Sequence, residues 1–336
     1  MYIVLYFYKL KYYVYKASLF QLKGRCKIKK ILSFNKPFIR CYQHYAFPTG
    51  IIEANLPEKD YLYNNFINIV YKKGYLTDIE FDMPYFMSME GLFVSIYAMF
   101  PSEYYDNPNL VNYIKKCINN NIYVSGMWNE FFIPSKLGYM KFNFERNYLI
   151  YGFNDETNSF LSSGYIGNDI WGDFEIPYDD FAKSLVVKDG YIRFNNYILN
   201  TNFNKRLDFN IILERIKNYL DSKPFMEEGG FSFGIKGIYD YFCYLGEDGI
   251  KLPSLYALYE HKSTMLRRLM LLNELGYIEF HKELEIQLKK VVKHYTTIIN
   301  LAIKDYVKNN IYILEKIRER GLAALKIEED VLRKIL

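Results

Sequence analysis

NIYVSGMWNEFFIPSKLGYMKFNFERNYLIYGFNDETNSFLSSGY, residues Asn121 to Tyr165, is the stretch from which the rest of the chain is read. Tyr123–Trp128 and Tyr148–Phe153 are short apolar runs rich in β-branched and aromatic side chains, which suit a pleated, half-buried surface. Asn154-Asp155-Glu156-Thr157-Asn158 is a polar turn whose carboxylates read as solvated turn formers, and it leads into a third run, Ser159–Tyr165. Three runs joined in this way predict a small antiparallel sheet.

Working outward, the residues before this sheet read as helices. A helix is expected from about Thr49, because Pro48 interrupts one started any earlier. Tyr61–Lys73 carries a helical stripe (Leu62, Phe66, Ile69, Val70) ended by Gly74. A further helix is expected around Met89–Met99, and another over Leu110–Asn119 behind the turn in Tyr105–Leu110. Downstream, Ile176-Pro177-Tyr178-Asp179-Asp180-Phe181 reads as a helix start and Tyr191–Leu199 as a final strand. Leu207–Leu220 and Ile235–Tyr244 read as helices separated by a break at Glu228-Gly229-Gly230. Leu255–Leu336 has the texture of a helical bundle. The fold class is α+β: an extension over 1–35, a mixed domain with an antiparallel sheet over 36–203, and a helical C-terminal domain over 204–336.

A chain of 336 residues that is 50% hydrophobic buries a large core. Its net charge of +5 comes from dispersed basic residues, which argues against nucleic acid as a partner. The short basic cluster RCKIKK, Arg25–Lys30, reads as a solvated linker. Lys9, Lys11 and Lys16 interrupt the hydrophobic start, so no membrane helix and no secretion signal are expected there. Cys26, Cys41, Cys117 and Cys243 form no CxxC, which points to reduced thiols in a cytoplasmic protein rather than to a zinc site or a disulfide framework. No glycine-rich phosphate loop, HExxH or GxSxG pattern appears, so neither a cofactor nor a metal is expected. The wealth of Tyr and Phe, with abundant Lys, Asn and Ile, matches an AT-rich coding sequence.

Four stretches carry a resemblance: KPFIRCYQHYAFPTGIIEAN at Lys36–Asn55, Glu130 followed by aromatics and Ile-Pro, LIYGF at Leu149–Phe153, and Glu260-His261-Lys262 with Arg268 two turns on. Together they resemble the butirosin biosynthesis protein H N-terminal-domain family, a papain-like cysteine fold of the bacteriocin-peptidase type. The resemblance implies that Cys41 occupies the nucleophile's place, where a helix N-terminus lowers the thiol pKa and its N–H groups help hold an oxyanion. It implies a histidine just before LIYGF, where this sequence has Asn143, Arg146 and Asn147. It implies an orienting group near Ser162, Ser163 and Gly164, where there is no carboxylate. Two of the three roles of a cysteine acyltransferase are therefore unfilled, and a thiol without a base is about 3% ionised at neutral pH. His44, three residues after Cys41, reads as a turn histidine, and His281 and His294 lie on charged helical surfaces.

Trp128 and Glu130 are expected to line the cleft, with Arg146 and Asn147 at its edge. His261 is expected to face the first domain, with Glu260 or Arg268 salt-bridged across a docking contact. The function expected is that of an accessory protein of a peptide or natural-product pathway, binding an acyl or peptidyl group from a carrier protein. One alternative is an active acyltransferase in which Cys41 attacks a carrier-protein thioester. Another is a homodimerising partner that uses the apolar stripe Leu284–Ile317.

Overall fold

The computed structural model describes residues 28–336 except 57–59, 84–91, 105–107, 168–169, 201, 203–205, 226–228, 247–248 and 309–310. Cys26, the Met1–Phe20 stretch, the Tyr105-Asp106-Asn107 part of the expected turn and Glu228 of the expected break lie outside the described residues.

The apolar runs of the central stretch become strands β5 (Ile122–Asn129), β6 (Glu145–Asn154) and β7 (Ser159–Tyr165), paired antiparallel in chain order. The sheet is larger than expected. β8 (Trp171–Pro177) continues the meander, and on the other side of β5 lie β10 (Tyr191–Leu199) and then β4 (Phe93–Pro101), giving the order β4-β10-β5-β6-β7-β8. Short β1 (Lys29–Ile31) pairs with the end of β6, and β9 (Val187–Lys188) pairs with β10. Trp128, Tyr148, Phe153, Phe160, Phe181 and Phe194 are fully buried and make the sheet's aromatic core. α3 (Pro108–Asn119) and α4 (Tyr178–Ser184) pack against that sheet.

Three local expectations are corrected. FVSIYAMF fits a helical stripe and a strand equally well, but over Phe93–Pro101 it pairs residue for residue with β10, so Met89–Met99 is not a helix in its described part. Tyr61–Lys73 splits: α2 (Asp60–Asn64) stops, Phe66 takes φ +53°, and Asn68–Tyr71 becomes β2, buried at every position. Here continuous burial overrides helical spacing. Finally, α1 (Gln43–Asn55) begins ahead of Thr49 and runs through Pro48. Beside Pro48, which has no N–H to give, Thr49 Oγ1 lies 2.8 Å from Tyr45 O and 3.1 Å from Ile39 O, linking the helix to the segment ahead of it.

The helical half comprises α5 (Phe209–Leu220), capped by Asp208 accepting from Ile211 N, α6 (Gly234–Cys243), α7 (Leu252–Glu274), α8 (Lys282–Lys308) and α9 (Ile311–Ile335). Leu288, Val291, Tyr295, Ile298, Ala302 and Ile317 are buried inside this bundle, so the stripe that a dimer would use is covered by its own chain. α9 approaches α6 closely at Gly321, where an added Cβ would stand 2.3 Å from the Phe242 ring. The two halves share structure across the expected boundary at 203. β11 (Ser232–Phe233) pairs with β2, and β2 with β3 (Ile79–Asp82), forming a second sheet. Among the described residues no helix is long and apolar enough to cross a membrane.

Candidate functional site

Cys41 immediately precedes α1, whose N-cap Tyr42 has extended backbone angles, so the free N–H groups of this turn point at whatever lies ahead of the helix. What lies ahead is α7. The N–H groups of Arg40 and Cys41 both donate to one oxygen of Glu260, Oε2, at 2.9 Å each. The main-chain donors of the turn just ahead of α1 thus hold a carboxylate supplied by the chain itself. Burial, and then the neighbouring Glu260 carboxylate, push the Cys41 thiol well above its ordinary value. Burial likewise raises Glu260 to about 7, against the pull of those two N–H groups.

A protonated, 5% exposed thiol is a poor nucleophile. Of the three described cysteines, the half-buried Cys243 should be labelled first when native protein is treated with iodoacetamide. Cys41 should react much more slowly than a free thiol, because burial and the raised pKa leave little thiolate to attack. Peptide mass spectrometry over time checks this, and early labelling at Cys41 would contradict it.

The first turn of α1 abuts the start of β6, where Gln43 Nε2 donates to Asn147 O at 2.6 Å. Asn143 accepts from Asn129 Nδ2 at 2.8 Å. Arg146 lies 3.8 Å from Glu130, with its guanidinium over the Phe144 and Tyr165 rings at 4.7 and 5.4 Å. The Tyr165 hydroxyl in turn donates to Arg40 O, linking Arg146 to the turn that carries Cys41. Where an orienting group was expected, Ser163 Oγ accepts from Trp171 Nε1 at 3.0 Å. At Gly164 an added Cβ would lie 2.6 Å from the Tyr148 ring, so the site has no room for any side chain. His44 lies on the exposed side of α1, stacked on Tyr42 with ring centroids 5.4 Å apart.

Trp128 does not line an accessible cleft. It is fully buried, tilted against Tyr148, Phe181 and Phe194. Glu130 is buried too, accepting from the Tyr148 hydroxyl beside Arg146. Sequence reasoning missed Lys136. Its Nζ donates to Tyr165 O at 2.9 Å and sits over the Phe174 and Tyr148 rings at 3.1 and 4.0 Å, and burial draws it down to about 6 against the pull of Glu130. The signal available was a lone lysine just after the Ile-Pro pair in an apolar stretch. Around this cluster Tyr139, Met140, Phe142 and Phe144 are exposed, an apolar rim next to Arg146.

His261 faces the first half as expected, but as a structural group. It is fully buried, with Nε2 2.7 Å from Ile67 O. The expected salt bridge is replaced by backbone contacts. Arg268 Nε donates to Tyr63 O at 2.7 Å and its NH2 nitrogen to Asn65 O at 2.6 Å, just as Glu260 accepts from backbone N–H groups. α7 therefore docks by supplying charged side chains to main-chain groups that neither sheet nor helix satisfies.

A depression lined by Asn65, Phe66, Ile67, Asn68, Arg215 and Phe225 among others has a volume of about 20 Å³, room for about one water. Among the described residues no group of three His, Cys, Asp or Glu side chains could hold a metal ion. Comparison of the sequence with protein-family models and with curated proteins gives no match.

Proposed function

We propose that this chain is an accessory protein of a peptide or other natural-product pathway, with a papain-like domain that keeps the frame of a cysteine site without its proton transfer. In this reading it binds an acyl or peptidyl group, presented by a carrier protein, at the sheet end around Arg146. The observation that carries the reading is Glu260 seated on the N–H groups of Arg40 and Cys41. Cysteine acyl transfer needs a thiolate, an imidazole and free oxyanion donors. Here the thiol is held neutral, Asn143, Arg146 and Asn147 occupy the stretch where the imidazole was expected, and the N–H groups of Arg40 and Cys41 are already taken.

Arg146 keeps part of its guanidinium exposed beside Phe144, which suits a carboxylate or the phosphate of a pantetheine arm. The exposed Tyr139, Met140 and Phe142 give an acyl chain apolar surface to lie on. The free thiols of Cys41, Cys117 and Cys243 fit a reducing, cytoplasmic setting.

Fluorescence anisotropy with a labelled acyl-phosphopantetheine tests the reading. The wild type is expected to bind. Phe144→Ala with Arg146→Ala should weaken binding about tenfold, the size of one lost charged contact. Cys41→Ala should leave it unchanged. Acyl transfer onto Cys41 would instead establish the acyltransferase alternative, and a wild type that does not bind the probe would refute both.

A further inference from the structure

Behind the docking face of α7 lies a second group of buried charges that the site does not use. Lys262 Nζ donates to Glu328 Oε2 at 2.6 Å and to the Tyr219 hydroxyl at 2.8 Å, and that hydroxyl donates to the same Oε2 at 2.7 Å. One carboxylate oxygen of Glu328 is thus doubly satisfied. The other, Oε1, has no partner among the described residues and lies 4.0 Å from His261 Nδ1, which has none either. Both side chains are 0% exposed.

The protonation of His261 follows from its other nitrogen. Ile67 O can only accept, so Nε2 must carry the proton and donate across the 2.7 Å contact. A second proton on Nδ1 is disfavoured by burial and by the neighbouring Lys262 and Arg268 cations. The Glu328 charge is already matched by Lys262 at 2.6 Å. Nδ1 is therefore a bare lone pair facing a carboxylate oxygen. Two acceptors cannot bond one another, and at 4.0 Å they stand too far apart for a proton moved between them to help.

We infer that a single water molecule bridges His261 Nδ1 and Glu328 Oε1, donating one hydrogen to each. A water oxygen at the usual hydrogen-bond distance of about 2.8 Å from both atoms would stand roughly 2 Å off the line joining them, with its two protons directed at the two acceptors. A metal cation does not fit this place, because the ammonium of Lys262 already sits on the same carboxylate. The buried hydroxyl of Tyr295 is also unpartnered and lies in the field of Glu328, which makes it the candidate donor to the water's own oxygen. The water then ties α7 to α9 beside the Lys262–Glu328 pair, adding a second link between the helix that carries Glu260 and α9.

The test combines a crystal structure of the full chain with long-range ¹H–¹⁵N correlation of the His261 ring at pH 7. A solvent peak within 3.2 Å of both atoms is expected, together with a neutral ring protonated on Nε2. Glu328→Gln is expected to keep the peak, because across 4.0 Å its amide still needs a water to reach Nδ1, and to leave the Nε2 proton in place. No solvent peak in the wild type, a doubly protonated ring, or a proton on Nδ1 would each overturn the inference.

Discussion

Arg268→Ala is expected to lower the unfolding free energy by on the order of 4 kcal/mol, a large share of what a folded chain commonly has. The guanidinium is fully buried and serves Tyr63 O, Asn65 O and, at 3.3 Å, Phe66 O. These carbonyls belong to the C-terminal end of α2 and the turn that follows it, where Phe66 is held at φ +53°, so they have no ladder to fall back on. Each buried acceptor left without a donor costs about 1–3 kcal/mol, partly offset because the variant no longer buries a charge. Arg268→Lys should recover less than half of the loss, since one ammonium cannot reproduce the fork of the guanidinium. Urea unfolding of the three proteins with a common slope checks the ranking. An alanine variant within ~1 kcal/mol of wild type would show that water replaces the guanidinium without cost.

Glu260 gives the second large effect, and it depends on pH. Burial raises its folded value to about 7, above the ordinary carboxylate value of 4.5. Below that ordinary value both folded and unfolded chains are protonated and the group is neutral to stability. As pH rises toward 7 the unfolded chain ionises first, so stability is lost across this window. The loss amounts to on the order of 3 kcal/mol once the folded carboxyl has also ionised. Glu260→Gln keeps an oxygen for the N–H groups of Arg40 and Cys41 and cannot ionise. It should therefore match wild type at pH 4.5 and exceed it at pH 8, whereas Glu260→Ala should be less stable than the glutamine variant at both. Urea midpoints against pH for the three proteins decide the matter. A glutamine variant with the same pH slope as wild type from 4.5 to 7 would sink the argument, since every other carboxylate is common to both.

How much of this was legible in the sequence depends on how local each feature is. β5, β6 and β7 announced themselves because β-branched and aromatic runs were bounded by turn residues within one short stretch. The long C-terminal helices did so because they lack interior breakers. β4 and β2 were misread because FVSIYAMF and NIVY have no polar alternation, so only their neighbours decide between strand and helix. α1 begins earlier than expected because a proline disfavours the helix interior without fixing where the helix starts.

The site divided in the same way. The spacing of Glu260, His261 and Arg268 correctly marked a helix face turned to the first half. Their partners were out of reach of any pattern, being main-chain groups around residues 40 and 65 with no side-chain signature. Trp128 was misassigned because an aromatic next to an acid reads the same in a cleft as in a core.

The distance along the chain between Cys41 and Glu260 has a consequence for biogenesis. Their contact spans 219 residues, and that of Arg268 with Asn65 spans 203. While the nascent chain is still on the ribosome, the start of α1 and the turn before β2 wait with unsatisfied main-chain groups until α7 has been translated. The amino-terminal sheet can collapse early, but the cysteine turn takes its final shape late. The carboxylate that covers that turn comes with α7, so the surroundings of this thiol are completed only once the last third of the chain has been made.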